Sequence, residues 1–230
     1  VDYMGGDLTV ERVATAGLGR VVFPENPGLD DFISYLVDHG IQRPFKSVQF
    51  KFNIQAPIET ALQFVYEPSV SVNEYSLRYS EAIPTSFVPS ADDMKKALVD
   101  ASDERVAKAL DIFRERREKV YAIYEKLNEL ELARELARIP LGIDNDTKFF
   151  WKVDIFSLAQ FVDRMRKFYR DGGQALDYVE ALAEVAERVD PISWKALANT
   201  GASSFGLTMP RDEDVVDIPL SHAGWLQQET

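Results

Sequence analysis

Cysteine is absent from all 230 residues, which excludes disulfides, thiolate nucleophiles and thiolate metal sites. Histidine is almost absent. His39 and His222 are too few for a multi-histidine metal centre within one chain, and no serine–histidine–acid triad is evident. Positive charge is scarce as well: 26 Lys and Arg stand against 38 Asp and Glu, for a formal charge of −12. Such a surface repels nucleic-acid backbone and anionic membrane. No run approaches the roughly 18 apolar residues of a membrane helix. Val1 to Asp7 has no basic stretch leading into an apolar one, so it does not read as a secretory signal. Internal repeats and low-complexity blocks are also lacking. The expectation is a soluble, cytoplasmic protein with no metal, no membrane and no nucleic-acid partner.

What is present is ordinary for a globular chain, with 46% hydrophobic and 28% charged residues. The length predicts one large domain over residues 1–200 and an acidic C-terminal tail over 201–230, where Arg211-Asp212-Glu213-Asp214 and Pro219 break any pattern and Trp225 would anchor the tail. Val48, Phe50, Phe52 and Ile54 alternate with polar residues, which predicts a strand with one buried face. A second strand is expected at 147–153. Helices are expected at 7–16, 29–39, 57–66, from Ser90 to about 101, 103–130, 130–139, 157–170, 174–188 and from Pro191. Long helices mixed with strands, without βαβ alternation, favour an α+β fold.

Residues 66–80 concentrate polar side chains. Ser71, Asn73, Glu74, Ser76, Arg78 and Ser80 supply donors and acceptors within ten positions. Arg78 offers a planar fork suited to phosphate or carboxylate, Ser76 a donor for an anion cradle, and Glu74 an acceptor for a sugar hydroxyl or a base. The competing reading is a polar loop in which Arg78 and Glu74 pair with each other. His39, just before Gly40, reads as a capping or core histidine.

Ser71 to Ser80 resembles the S-x-N-E-x-S-x-R-Y part of the signature of the flavin-dependent thymidylate synthase (ThyX) family. Further segments match in order over about residues 1–200. Asp2 to Leu8 resembles the family's opening strand and turn. His39-Gly40, Pro44-Phe45 and Phe50-Lys51-Phe52 resemble its H-G-x-x-x-P-F-x-x-x-x-F-x-F run. Leu132 to Leu141 resembles its A-R-x-x-L-P region, and Phe149 to Leu158 its F-x-W-x-V-N-x-x-S-L segment. The resemblance implies a ThyX-like fold, an antiparallel or mixed sheet flanked by long helices, and a homotetramer with sites between subunits. It implies methylation of dUMP at C5 with FAD, methylenetetrahydrofolate and NADPH. It further implies that a pyrimidine nucleotide is held by Gln63, Glu74, Ser76, Arg78 and Arg138. The helix at 103–130 and the aromatics Phe149, Trp151, Phe161 and Phe168 offer additional apolar surface for oligomerisation.

The departures gather at the positions that the family uses for its flavin. Where its signature opens with Arg-His-Arg, this chain has Tyr66-Glu67-Pro68. Arg43 and Lys46 replace a threonine and an acid, Asp154 replaces an asparagine, and Phe156 replaces a basic residue. A later arginine falls at Met165, between Arg164 and Arg166. His39, Arg43, Tyr66, Glu67 and Asp154 thus form a degenerate flavin side, and FAD is expected to bind weakly or not at all. The reading adopted is a diverged ThyX-family protein that binds dUMP or UMP, with the usual FAD-dependent methylation lost or altered. Two alternatives stand beside it. One is an active synthase whose clamp uses Arg43, Lys46 and Arg164 or Arg166. The other is a structural or regulatory oligomer.

Overall fold

Strict alternation builds the centre of the protein. In the computed structural model, which describes residues 1–18, 28–99, 101–169 and 173–200, strand β2 (Gln49–Pro57) buries Phe50, Phe52, Ile54 and Ala56. Its neighbour β4 (Asp146–Asp154) buries Thr147, Phe149, Trp151 and Val153. The two pair antiparallel from Gln49↔Asp154 to Pro57↔Asp146. The short β1 (Asp2–Met4) joins the far side of β2, and β3 (Ser71–Glu74) joins the far side of β4, so the sheet order is β1-β2-β4-β3 with every pairing antiparallel.

One face of this sheet is roofed by helices. They are α1 (Asp7–Leu18), α2 (Leu29–Asp38), α3 (Ile58–Val65), α7 (Ile155–Phe168), α8 (Gln174–Val189) and α9 (Pro191–Thr200), and their apolar stripes merge with β2 and β4 into one core. Trp151 sits at its centre, edge-on to Phe64 at 5.1 Å between ring centroids and 5.2 Å from Phe161. Its indole N–H donates to the Phe64 carbonyl, so the ring is buried without an orphaned donor. The other sheet face carries Lys51, Asn53, Lys148, Phe150 and Lys152, all exposed.

A separate layer holds α4 (Ala91–Ala97), α5 (Asp103–Glu129) and α6 (Arg134–Ala137). A capping box opens α4: Ser90 accepts from the Asp93 N–H, and Asp93 accepts from the Ser90 N–H. The 27-residue α5 packs on α4 and α6 and buries only Val106, Leu110 and Tyr124. Ile112, Phe113 and Ile123 are exposed along it, and Leu130, Leu136 and Ile139 are exposed beyond its end.

Several expectations are corrected. Part of the polar 66–80 segment is a strand. Edge pairing with β4 supplies its backbone partners, so it needs little apolar burial of its own, and of its four residues only Val72 packs against the core. The helix expected through Ala101 ends at Ala97. The helix expected over 130–139 shrinks to Arg134–Ala137, because Glu131 takes a left-handed backbone (φ 57°) that breaks the run. Of the aromatics expected to serve oligomerisation, Phe149, Trp151 and Phe161 are consumed by the chain's own core, and only Phe168 is exposed. The tail over 201–230 lies outside the described residues. Among the described residues, no helix is long and apolar enough to cross a membrane, and no group of three or more acidic or His side chains is placed to hold a metal ion.

The first and last helices are tied by an acid pair. The Asp7 carboxylate accepts from the Ile192 and Ser193 N–H groups and from the Ser193 hydroxyl, at 2.6–3.2 Å, and so caps α9 across the chain. Asp190 is fully buried beside it, and neither of its oxygens receives a hydrogen bond from another described residue. Burial, then the neighbouring Asp7 carboxylate, push the Asp190 carboxyl up to about 8. Burial works against Asp7 too, but the neighbouring Asp190 carboxyl and the hydrogen bonds from Ser193 and Ile192 outweigh it and hold Asp7 below its ordinary range. Asp190 protonated and Asp7 ionised is the arrangement that lets two carboxyls meet without repulsion.

Candidate functional site

The end of β3 and the turn that follows it bring the central motif over α6. The Tyr75 N–H donates to the Lys148 carbonyl and continues the β3–β4 pairing by one residue. A tight turn then closes with the Tyr79 and Ser80 N–H groups donating to the Ser76 carbonyl. Opposite, α6 and the turn after it present Glu135, Arg138, Ile139 and Leu141. Between the two walls lies an open cavity of about 560 Å³, which Glu74, Ser76 and Arg138 line together. Ile58, Leu77, Ile139 and Leu141 give it an apolar side, and Glu135 and Thr147 complete its polar one.

Glu74 and Arg78 do not pair with each other. The Thr147 hydroxyl donates to the Glu74 carboxylate at 2.7 Å. Arg78 lies on the rim, 3.7 Å from Glu135 with both side chains more than half exposed, and its backbone N–H donates to the Ser76 hydroxyl at 3.3 Å. Arg138 is half-buried, and no acidic partner is found for it among the described residues. Its neighbour Arg134 is spent on the Tyr79 carbonyl at 2.8 Å, a bond that ties α6 to the motif turn. Of the five residues expected at a nucleotide site, the structure therefore brings three into one cavity and sets Arg78 at its edge. Gln63 sits half-buried on α3 and does not line the cavity. Thr147, Glu135 and the apolar wall were missed in the sequence. Thr147 reads there as one more inward position of a strand, and its hydroxyl was the only signal available.

The residues of the degenerate flavin side are largely engaged. Tyr66 is the exposed C-cap of α3. Glu67 is buried and forms an ion pair with Arg164. Burial pushes the Glu67 carboxyl up, Arg164 opposes this, and the nearby Asp154 charge adds to the rise. Asp154 is itself the N-cap of α7, with its two oxygens taken by the Ser157 N–H at 2.8 Å and the Ser157 hydroxyl at 2.9 Å. His39 caps α2, exposed, with its ring stacked on Tyr35 and Nδ1 2.9 Å from the Tyr35 carbonyl; it is not a core histidine. Arg166 is held by both oxygens of Glu180. Neither Arg164 nor Arg166 is therefore a free clamp. Arg43 and Lys46 are exposed on one short 3-10 turn, Arg43–Ser47, where Arg43 lines a second cleft of about 620 Å³.

Comparison with known proteins places these features in a lineage. The family model described as thymidylate synthase complementing protein matches residues 2–192. A flavin-dependent thymidylate synthase of Gluconobacter oxydans is 35% identical over 90% of this chain and 72% of its own length. One from Thermosipho africanus is 34% identical over 71% of this chain and 74% of its own. The fold is that of a UMP/dUMP methylase, PolB, from Streptomyces cacaoi, solved with 5-Br UMP. The two superpose with a TM-score of 0.72 at 21% identity, over 86% of this chain and 92% of that one. The match over residues 2–192 and the relatives at 34–35% identity give one assignment: the chain belongs to the thymidylate synthase complementing protein family, that of the flavin-dependent thymidylate synthases.

Proposed function

We propose that this chain binds a uridylate-type nucleotide, dUMP or UMP, in the cavity between the 74–77 segment and α6. The observation that carries this reading is the convergence of Glu74, Ser76 and Arg138, which has no acidic partner among the described residues, on one cavity of about 560 Å³, a volume suited to a small-molecule ligand. Arg138 and Ser76 hold the phosphate. Arg78 joins them by exchanging the weak, exposed Glu135 contact for phosphate oxygens, which its fork engages two at a time. Glu74, held by Thr147, accepts from a sugar hydroxyl or a base N–H. The apolar wall takes the pyrimidine ring. The UMP/dUMP specificity named for the structural neighbour and the synthase activity named for the relatives are consistent with this ligand class.

The residues at the flavin positions do not fit an FAD diphosphate. Such a group needs cations and N–H donors. The chain offers an exposed phenol, a buried carboxylate that already neutralises Arg164, a proline without an N–H, and an aspartate used as a helix cap. The usual flavin-dependent methylation is accordingly lost or altered in this protein. A second reading keeps a flavin through Arg43 and Lys46, which stand exposed on the same turn. The two readings differ in what the protein carries when purified.

We further propose a homo-oligomer, in keeping with the tetramer that the family resemblance implies. The apolar residues exposed along α5 and beyond its end provide the surface for it. Static light scattering at micromolar concentration is expected to return a dimer or tetramer. A monomer mass would contradict the proposal.

The nucleotide reading is tested by thermal shift. Millimolar dUMP is expected to raise the melting temperature of the wild type by several degrees. Arg78→Ala is expected to abolish that rise while leaving the melting temperature of the free protein nearly unchanged, because its exposed contact to Glu135 stabilises little. A lower melting temperature of the free variant, with no ligand effect in either protein, would assign Arg78 a structural role instead.

A further inference from the structure

We infer that Thr147 is a positioning residue for the nucleotide site, acting through Glu74; the inference rests on the uridylate reading above. Thr147 is buried on β4, 3% exposed, yet lines the cavity. A hydroxyl there would be costly without a partner, and it has one: Oγ1 donates to Glu74 Oε1 at 2.7 Å. The sheet register explains why the two meet. Glu74 pairs with Phe149, and Thr147 stands two residues along the same strand on the same face, the diagonal neighbour across β3–β4.

The consequence is directional. Glu74 is the last residue of β3 and is exposed, so its side chain would otherwise be free to sample several rotamers. The Thr147 hydroxyl fixes one oxygen and leaves Oε2, which accepts from no other described residue, to the ligand. A carboxylate held in this way reads an N–H or O–H of the ligand without paying the ordering cost at the moment of binding. The bond also spends the one hydroxyl hydrogen of Thr147, so the hydroxyl does not donate to the ligand while the pair is intact.

Equilibrium dialysis with radiolabelled dUMP tests this in wild type, Thr147→Val, Thr147→Ser, Glu74→Ala and the Thr147→Val/Glu74→Ala double variant, with circular dichroism verifying the fold of each. Thr147→Val keeps the volume and removes the donor. It is expected to weaken dUMP about tenfold, the range of a hydrogen bond to a charged group. Thr147→Ser is expected to bind as wild type, and adding Thr147→Val to Glu74→Ala is expected to change nothing further. Wild-type affinity in a folded Thr147→Val protein would overturn the inference and leave the uridylate reading standing. So would an undiminished tenfold loss in the Glu74→Ala background, which would place Thr147 on the ligand directly. Should Thr147→Val not fold, a Thr147→Ser protein that is folded but binds tenfold more weakly would overturn it equally. Failure of the wild type to bind dUMP at all would remove the uridylate reading, and this inference with it.

Discussion

Raising the pH from 5 to 8 is expected to cost the wild-type fold a few kcal/mol that Asp190→Asn does not lose. Asp190 keeps its proton in the folded protein up to about 8, whereas in the unfolded chain it releases it near its ordinary value of 3.8. Between those values the folded state binds more protons than the unfolded state, so stability falls as pH rises. The contribution is complete below about 3.8 and gone above about 8. At about 1.4 kcal/mol per unit, a displacement of this size is on the order of a few kcal/mol. Asp7 acts with the opposite sign. Its carboxyl is held low, so its contribution is present above its unfolded value and is lost as the pH falls through the folded one. The pair therefore favours mildly acidic conditions. Asp190→Asn keeps the size and shape of the side chain but does not titrate. Urea unfolding at pH 5 and pH 8 measures both proteins. A stability difference between them that stays constant with pH would contradict a protonated Asp190 in the fold.

The second large effect concerns the flavin. The purified protein is expected to be colourless, with no stoichiometric FAD. Each lost charge-assisted contact to a phosphate costs on the order of 1.5–3 kcal/mol. Two lost cations and the added Glu67 carboxyl weaken FAD by about three orders of magnitude or more. Arg164 is bound to Glu67 and Arg166 to Glu180, so neither is free to compensate. Absorbance after gel filtration decides. A flavin band at roughly 450 nm with one flavin per chain would contradict the expectation and favour the clamp built on Arg43 and Lys46.

Much of the fold is legible because the signals that make it are local. The alternation at Phe50, Phe52 and Ile54 fixes which face of β2 is buried, and Ser90 with Asp93 announces the start of α4. Signals that depend on distant partners are not legible. Ser71 to Glu74 has the composition of a loop and becomes a strand only because β4 offers it an edge. Glu131 ends a helix through its own backbone conformation, without a glycine or proline to mark the break. The same division holds at the site. The motif names Glu74, Ser76 and Arg78. That Glu74 turns to Thr147 and Arg78 to Glu135, instead of to each other, follows from β4 and α6 closing on the motif from either side. The Glu67–Arg164 pair joins residues 97 positions apart, so the sequence shows only two charges where the structure shows one neutralised contact.

The ligand proposed for the cavity of Glu74, Ser76 and Arg138 is a uridylate. Calorimetric titration of the wild-type protein with dUMP, at nucleotide concentrations reaching the millimolar range, tests it most directly. Saturable heat is expected, and it disappears in Arg138→Ala, since Arg138 lines the cavity with no acidic partner among the described residues. No heat of binding from the wild type, or equal heat from Arg138→Ala, would contradict it.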